Sequence, residues 1–348
     1  MTASDKPVIG FIGVGFMGHG MAANILKAGY ELWIKGHVNR DPVEDLVARG
    51  AHEAASPADM AARCDIIHVC LSNSSQVESV IRGPDGILAG ARPGLIVIDS
   101  TTADPASTRA LAAEMAERGV TLVDAPLGRT PKEAEEGTLD AMVGCDAETF
   151  ERIRPVIDCW AGNITHIGPT GSAHQMKLLM NMIGMGYGAL YAEALTLGAK
   201  VGISPQVFHK VIGSSRMANG FYETFMRYVI DRDRDAHKFT IQNASKDVRY
   251  AANMASEASV VNIMGAAIKH YYTHVEAIGK RRRLRSDDQR PCGQAERARH
   301  GGRGAQGQFL NPEPASRRFP RFPESFWKPA PETLSLHWMT RGPAETTE

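Results

Sequence analysis

The amino-acid sequence predicts an α/β domain built on a parallel sheet, then an all-helical domain and an irregular C-terminal tail. From Val8 to about Gly168 short apolar runs alternate with helical segments, and the first run ends in a glycine-rich turn that opens a helix. After His174 the strand pattern gives way to apolar residues at helical spacing. The alternation places helices on both faces of a mainly parallel sheet. The expected division is residues 1–172 for the sheet domain, 173–280 for the helical domain and 281–348 for the tail.

The opening segment, VIGFIGVGFMGHGMAANILKAGY, supplies a strand from Val8, Ile9, Phe11 and Ile12 and a buried helix face from Met21, Ala22, Ile25 and Leu26. Between them lies Gly13-x-Gly15-x-x-Gly18. Gly13 suits a sharp turn, Gly15 a close approach of backbone to a pyrophosphate, and Gly18 a helix packed tightly on the strand. Free N–H groups and the helix dipole then face the phosphates, so the segment reads as a dinucleotide-binding turn. Further strands follow as ELWI, DIIHVCL, LIVIDS, TLVDAP and LDAMVG. Helices fall between them over Gly18 to Ala28, Val43 to Arg49, Pro57 to Arg63, Gln76 to Arg82 and Pro105 to Arg118. The later helices run over Met176 to Val201, Pro205 to Ile212, Gly220 to Ile230, Gln242 to Ser256 and Asn262 to Ala277.

A chain of 348 residues exceeds what one core usually serves. Its 39 basic and 39 acidic side chains cancel, so no overall field calls for nucleic acid or an anionic membrane. The five cysteines have no metal-ligand spacing and read as reduced thiols, with no metal site expected. The N-terminus lacks a basic stretch followed by an apolar core, which points to the cytoplasm. The apolar stretch from Leu178 to Ala199 is interrupted by Asn181 and Glu193, which suits a core helix rather than a membrane span.

The residues that carry chemistry start with Lys177 and Asn181. Four apart, they project from one face near the start of a helix. There the helix dipole lowers a lysine's pKa and eases proton exchange. Next to a hydride-carrying cofactor such a lysine can exchange the proton of a carbinol oxygen, and the asparagine can hold that oxygen or the lysine. Spacing alone equally allows a surface lysine beside a buried asparagine.

From Val8 to Gly279 the chain resembles the beta-hydroxyacid dehydrogenase family. The resemblance rests on Gly13-Val-Gly15-Phe-Met17-Gly18, Asp99-Ser-Thr-Thr102, Asp124-Ala-Pro126 with Gly137-Thr-Leu139, Gly171 through Lys177 and Asn181, and Lys246-Asp247. It implies a Rossmann-type domain followed by an all-α domain. It also implies an NAD(P)-dependent oxidoreductase that interconverts a small 3-hydroxy acid and its semialdehyde and forms a homo-oligomer. Lys177 then matches the catalytic lysine and Asn181 a substrate-orienting asparagine. Gly13, Val14, Gly15, Phe16, Met17 and Gly18 match the cofactor turn, and Thr102 a residue lining the nicotinamide. Leu71 and Ser72 fall where a leucine and a proline touch the cofactor, and Lys246 matches a lysine that reaches it. A non-catalytic dinucleotide-binding module, or an inactive enzyme with a broken C-terminus, is the alternative.

Two departures bear on specificity. Where the family has Ser-Gly-Gly in its carboxylate-binding loop, this chain has Gly128-Arg129-Thr130. A guanidinium there suits an anionic substrate, bound through forked hydrogen bonds. The same three residues occur in proteins similar to sulfolactaldehyde reductase, although the asparagine and serine that accompany them fall at Met180 and Gly184. The other reading of Arg129 is a loop residue tied to Glu133 or Glu136. After the second strand, Lys35-Gly-His-Val-Asn39-Arg40 matches members that take NADP, which makes NADP the preferred cofactor over NAD, with Asp41 as a possible ribose ligand.

From Lys280 onward basic and Pro-rich stretches replace periodic hydrophobicity. One reading is an unpacked basic tail. The other is a frameshift: Arg281 to Arg297 can be back-translated so that reading one base later encodes GDDFVPTISDHVARLN, a peptide similar to the family's usual C-terminus.

Overall fold

The structure, a computed structural model, describes residues 6–233 and 236–287. Its first half runs β1 (Ile9–Ile12), α1 (Gly18–Lys27), β2 (Leu32–Lys35), α2 (Asp41–Ala48), β3 (His52–Glu53), α3 (Pro57–Arg63) and β4 (Ile66–Val69). It continues with α4 (Ser74–Arg82), α5 (Ile87–Gly90), β5 (Ile96–Asp99), α6 (Pro105–Ala116) and β6 (Thr121–Asp124). Then come β7 (Leu127–Gly128), α7 (Pro131–Glu136), β8 (Leu139–Gly144), α8 (Ala147–Ile157) and β9 (Ala161–Gly168). The rest is helical: α9 (Ser172–Lys200), α10 (Pro205–Ile212), α11 (Gly220–Asp231), α12 (Ile241–Glu257) and α13 (Ile263–Asp287). The tail beyond Asp287, with most of the frameshift reading, lies outside the described residues, whereas α13 carries seven residues of that segment as helix.

The strands form one sheet in the order β3-β2-β1-β4-β5-β6-β8-β7, with β9 on β8. From β3 to β6 every pair is parallel, the doubly wound order in which the chain reverses direction of travel between β1 and β4. The mainly parallel sheet that the sequence predicts gains an antiparallel part beyond β6, where β8 runs antiparallel to both β6 and β7. A parallel return needs a crossover of a dozen or more residues, and the stretch between β7 and β8 holds only the short α7.

Alternation along the strands feeds two cores. Ile9, Phe11, Ile34, Ile98 and Val123 face one side with Met21, Ile25 and Trp160. Ile12, Ile67, Val69, Val97 and Leu122 face the other with Met60, Ile81 and Met115. Because both faces are covered, these strands read as continuous apolar runs. Helix starts follow side-chain caps: Ser56 accepts from the N–H of Asp59, Asn73 from Gln76 and Asp104 from Ala106.

The chain forms two compact units. Among the described residues, one comprises 6–191 and 238–272; the other comprises 192–233, 236–237 and 273–287. In the second unit Tyr222, Phe225, Met226 and Val229 of α11 are buried.

Within the first unit, β6 and α9 are joined by one carboxylate. Asp124, fully buried at the end of β6, accepts from the N–H of Gly171 at 2.6 Å and from that of His174 at 2.8 Å. Its neighbour in register is Gly144, where a Cβ would collide with the carboxylate. The ring of His174 pairs with the Thr108 hydroxyl on α6 at 2.8 Å. A buried carboxylate that satisfies two amides at a helix start is worth more than an exposed cap. Asp124→Ala is expected to lower stability by about 3 kcal/mol, and Asp124→Asn by roughly half of that. Urea denaturation of both variants measures this; a loss below about 1 kcal/mol for the alanine variant contradicts it.

Candidate functional site

The turn after β1 has the shape a dinucleotide requires. Gly13 adopts φ +95°, and a Cβ there would strike the carbonyl oxygen of Cys70. A Cβ on Gly18 would strike the carbonyl oxygen of Gly13, so the close approach of α1 to the turn needs glycine. At Gly15 a Cβ would meet nothing within 4 Å, which leaves open space in front of the helix. The N-terminus of α1 has neither a side-chain cap nor an acidic residue in its first turn. Its amides therefore suit an anion, at the crevice between β1 and β4 where such sheets bind ligands. Val14 is buried, Met17 is half-buried against the core, and Phe16 is 82% exposed.

Beside this turn, one buried lysine gathers the loops after β4 and β5. Lys246 of α12 donates to the carbonyl oxygens of Ser72 at 2.7 Å and Thr102 at 2.8 Å. The Leu71 N–H donates to the hydroxyl of Thr101 at 3.0 Å, which joins the same two loops a second time. Leu71 also lies next to Gly13, so the turn, Leu71, Ser72, Thr102 and Lys246 form one neighbourhood.

Asp247 is the residue that links this neighbourhood to α9, and sequence reasoning gave it no role. It is 1% exposed. One carboxylate oxygen lies 3.2 Å from the Lys246 ammonium and the other accepts from the Asn181 amide at 2.7 Å. Asn181 thus spends its amide on a carboxylate from α12, not on Lys177. Burial pushes the Asp247 carboxyl upward, against the lowering effect of Lys246, Asn181 and Lys177. Lys177, half-exposed by area, is brought down to about 8. The first cause is burial; Asp247 opposes it and Lys246 adds to it. The pKa is lowered, as the sequence led us to expect, but the cause is desolvation with a smaller push from Lys246, not the helix dipole.

The remaining site residues lie on other elements. Gly128 is buried on β7, and Arg129 adopts φ +75°, a left-handed conformation that a side chain makes costly. The Arg129 Nε donates to Asp140 at 3.0 Å, not to Glu133 or Glu136. Thr130 caps α7, and its N–H and hydroxyl both donate to the Glu133 carboxylate, at 3.0 and 2.5 Å. On the far side of β2, Asn39 accepts from the N–H of Asp41 at 3.2 Å. Arg40 there grips Glu53 with two parallel bonds of 2.8 and 2.7 Å.

Residues 8–168 match the family described as the NAD binding domain of 6-phosphogluconate dehydrogenase. Residues 171–288 match the NAD-binding domain of NADP-dependent 3-hydroxyisobutyrate dehydrogenase. The chain is 35% identical to 2-(hydroxymethyl)glutarate dehydrogenase of Eubacterium barkeri, over 78% of this chain and 90% of that one. The chain belongs to the beta-hydroxyacid dehydrogenase family. A second member, 3-sulfolactaldehyde reductase of Escherichia coli K12, is 32% identical over 79% of this chain and 92% of its own. Among solved structures, 3-hydroxyisobutyrate dehydrogenase of Mycobacterium tuberculosis with L-serine superimposes with a TM-score of 0.70 at 26% identity, covering 78% of this chain and 94% of that one. Membership makes the protein an NAD(P)-dependent dehydrogenase acting on a CH–OH group. Among the described residues no helix is long and apolar enough to cross a membrane.

Proposed function

We propose that this family member interconverts a small anionic 3-hydroxy acid and its semialdehyde, with Lys177 exchanging the carbinol proton. The observation that carries the reading is the group of Lys177, Asn181, Asp247 and Lys246, in which burial brings the catalytic lysine to about 8. Near that value an ammonium gives up a proton, and an amine regains it, at little cost around neutral pH. The turn from Gly13 to Gly18, with Val14, Phe16 and Met17, holds the dinucleotide phosphates, and Leu71, Ser72 and Thr102 border the nicotinamide. A bound nicotinamide supplies or accepts the hydride. Lys177 donates a proton to the carbonyl oxygen during reduction and removes it during oxidation. Asn181, oriented by Asp247, steadies that oxygen, while Lys246 braces the two loops that carry Ser72 and Thr102. Asn39 and Arg40 favour NADP over NAD.

The anionic end of the substrate is assigned to Gly128, Arg129 and Thr130. Strain at Arg129 supports this, because a side chain at φ +75° costs energy that only an advantage elsewhere offsets. A carboxylate or a sulfonate fits a guanidinium equally well. The E. coli relative with a sulfonate substrate and the E. barkeri relative, whose name denotes a dicarboxylate, keep both open.

Along α9, Met176, Leu179, Met180, Ile183, Tyr187 and Leu190 form a stripe of exposed apolar side chains at helical spacing. We infer that a second copy of the chain covers it, since a stripe of this length is costly in water.

Three outcomes test these readings. Reduction of a semialdehyde panel should have kcat/KM level below about pH 8 and falling above it, because the ammonium form of Lys177 is required; oxidation should rise through the same pH. Asp247→Asn removes a charge that holds the proton on Lys177, so both limbs move to lower pH, and Lys177→Met lowers turnover by about a hundredfold or more. Unmoved limbs, or wild-type turnover by the methionine variant, reject the mechanism. Arg129→Gly relieves the backbone and should keep or raise the Tm while raising KM for the anionic semialdehyde or sulfonate substrate by about tenfold; an unchanged KM removes Arg129 from the site. Light scattering should give a mass above one chain, reduced by Ile183→Glu with Leu190→Glu, and a monomeric wild type refutes the assembly.

A further inference from the structure

The cofactor-discriminating arginine is held by a carboxylate whose position the sheet dictates. Glu53 lies on β3 opposite Ile34 of β2, one residue before the strand end from which the loop to Arg40 departs. Both terminal nitrogens of Arg40 are committed to it, one to each carboxylate oxygen, at 2.8 and 2.7 Å. Lys35, the other cation at this strand end, donates to the carbonyl oxygens of Ala54 and Ala55 at 3.2 and 2.9 Å. Asn39 turns its side-chain oxygen to the N–H of Asp41. Of these groups, the Arg40 pair is the one an incoming anion must open.

A guanidinium presents one planar fork, and a carboxylate or a phosphate monoester takes it in the same bidentate way. We propose that Glu53 sets the balance between NADP and NAD by competing with the 2′-phosphate for Arg40. The proposal rests on the reading that Arg40 meets that phosphate. NADPH binding exchanges one anion for another at the fork and also brings the phosphate close to the displaced carboxylate. NADH carries no 2′-phosphate and leaves the Arg40–Glu53 pair intact. Glu53 therefore weakens NADPH binding alone, and the chain accepts both cofactors more evenly than Asn39-Arg40 by itself predicts. The pair is part-exposed, with side chains 46% and 32% accessible, so exchange needs no rearrangement of the core. Glu44 is the other acidic group whose charge acts on Arg40, and Lys35 the other cation acting on Glu53.

Dissociation constants of NADPH and NADH, measured by fluorescence titration without substrate, test this in wild type, Glu53→Gln, Arg40→Ala and the double variant. Glu53→Gln is expected to tighten NADPH about fivefold and to change NADH by less than about twofold, with an unaltered Tm. The gain should be lost in the Arg40→Ala background. If Arg40→Ala leaves the wild-type ratio of the two constants unchanged, the phosphate reading itself fails, and with it the competition. If Arg40→Ala collapses the ratio while Glu53→Gln leaves it unchanged or weakens NADPH, only the competition is overturned: Glu53 then positions Arg40. A full gain that persists without Arg40 also overturns it, since the effect is then charge at a distance.

Discussion

The bond that the rest of the structure depends on is the double acceptance by Asp124 of the amides of Gly171 and His174. It fixes the start of a 29-residue helix to the carboxyl end of a central strand, and everything on the first turns of that helix inherits the position. Lys177 lies one turn beyond His174 and Asn181 one turn beyond Lys177. A shift of α9 by a single residue would turn both side chains by about 100° and break their relation to Asp247. The glycine at position 144 serves the same end, because it leaves the space that the carboxylate fills. Asp124 thus acts on chemistry only through the register it imposes.

What α9 meets there is an electrostatic balance of two lysines and one carboxylate. Lys246 donates to two carbonyl oxygens and forms an ion pair with Asp247, which compensates a buried ammonium. Asp247 in turn serves Lys246 and Asn181, so its charge is shared before Lys177 is counted. Of the two lysines, Lys177 is the less compensated by hydrogen bonds, and burial is the first cause of its lowered pKa. One lysine is thus spent on holding two loops, while the pKa of the other is lowered to about 8, although both are close to the same carboxylate.

The sheet domain was legible because its strands are buried on both faces and read as unbroken apolar runs. The same rule hid β9: Asn163, Thr165 and His166 break up its apolar pattern, and it pairs only at the sheet's extension beside β8. The very short β3 and β7 carry no pattern long enough to read. Within the site, local spacing revealed the glycine turn and the Lys177–Asn181 face. The partners of those residues are set by tertiary contact: Asp247 lies 66 positions from Asn181, and Glu53 lies 13 from Arg40. Arg129 illustrates the limit most clearly, since Glu133 and Glu136 are nearer in sequence but the β7–β8 pairing places Gly128 opposite Asp140, and Arg129 bonds to it.

Arg40 and Arg129 share one arrangement. Each is an arginine assigned to an anion, each is part-exposed, and each is held by a carboxylate anchored on a strand, Glu53 on β3 and Asp140 on β8. An unpaired arginine on a loop has many rotamers to lose when an anion binds, whereas a paired one is already ordered. The carboxylate therefore lowers the entropic cost of binding while adding the cost of its own displacement. The two effects oppose each other, and the net sign depends on how completely the ligand takes the fork. At Arg40 both terminal nitrogens are taken, so displacement dominates. At Arg129 the bond is made through Nε, which leaves the geometry of the terminal fork to an incoming anion, so ordering dominates. Under the proposed assignments, the same pairing chemistry restrains the cofactor's phosphate at one end of the sheet and prepares the substrate's anion at the other.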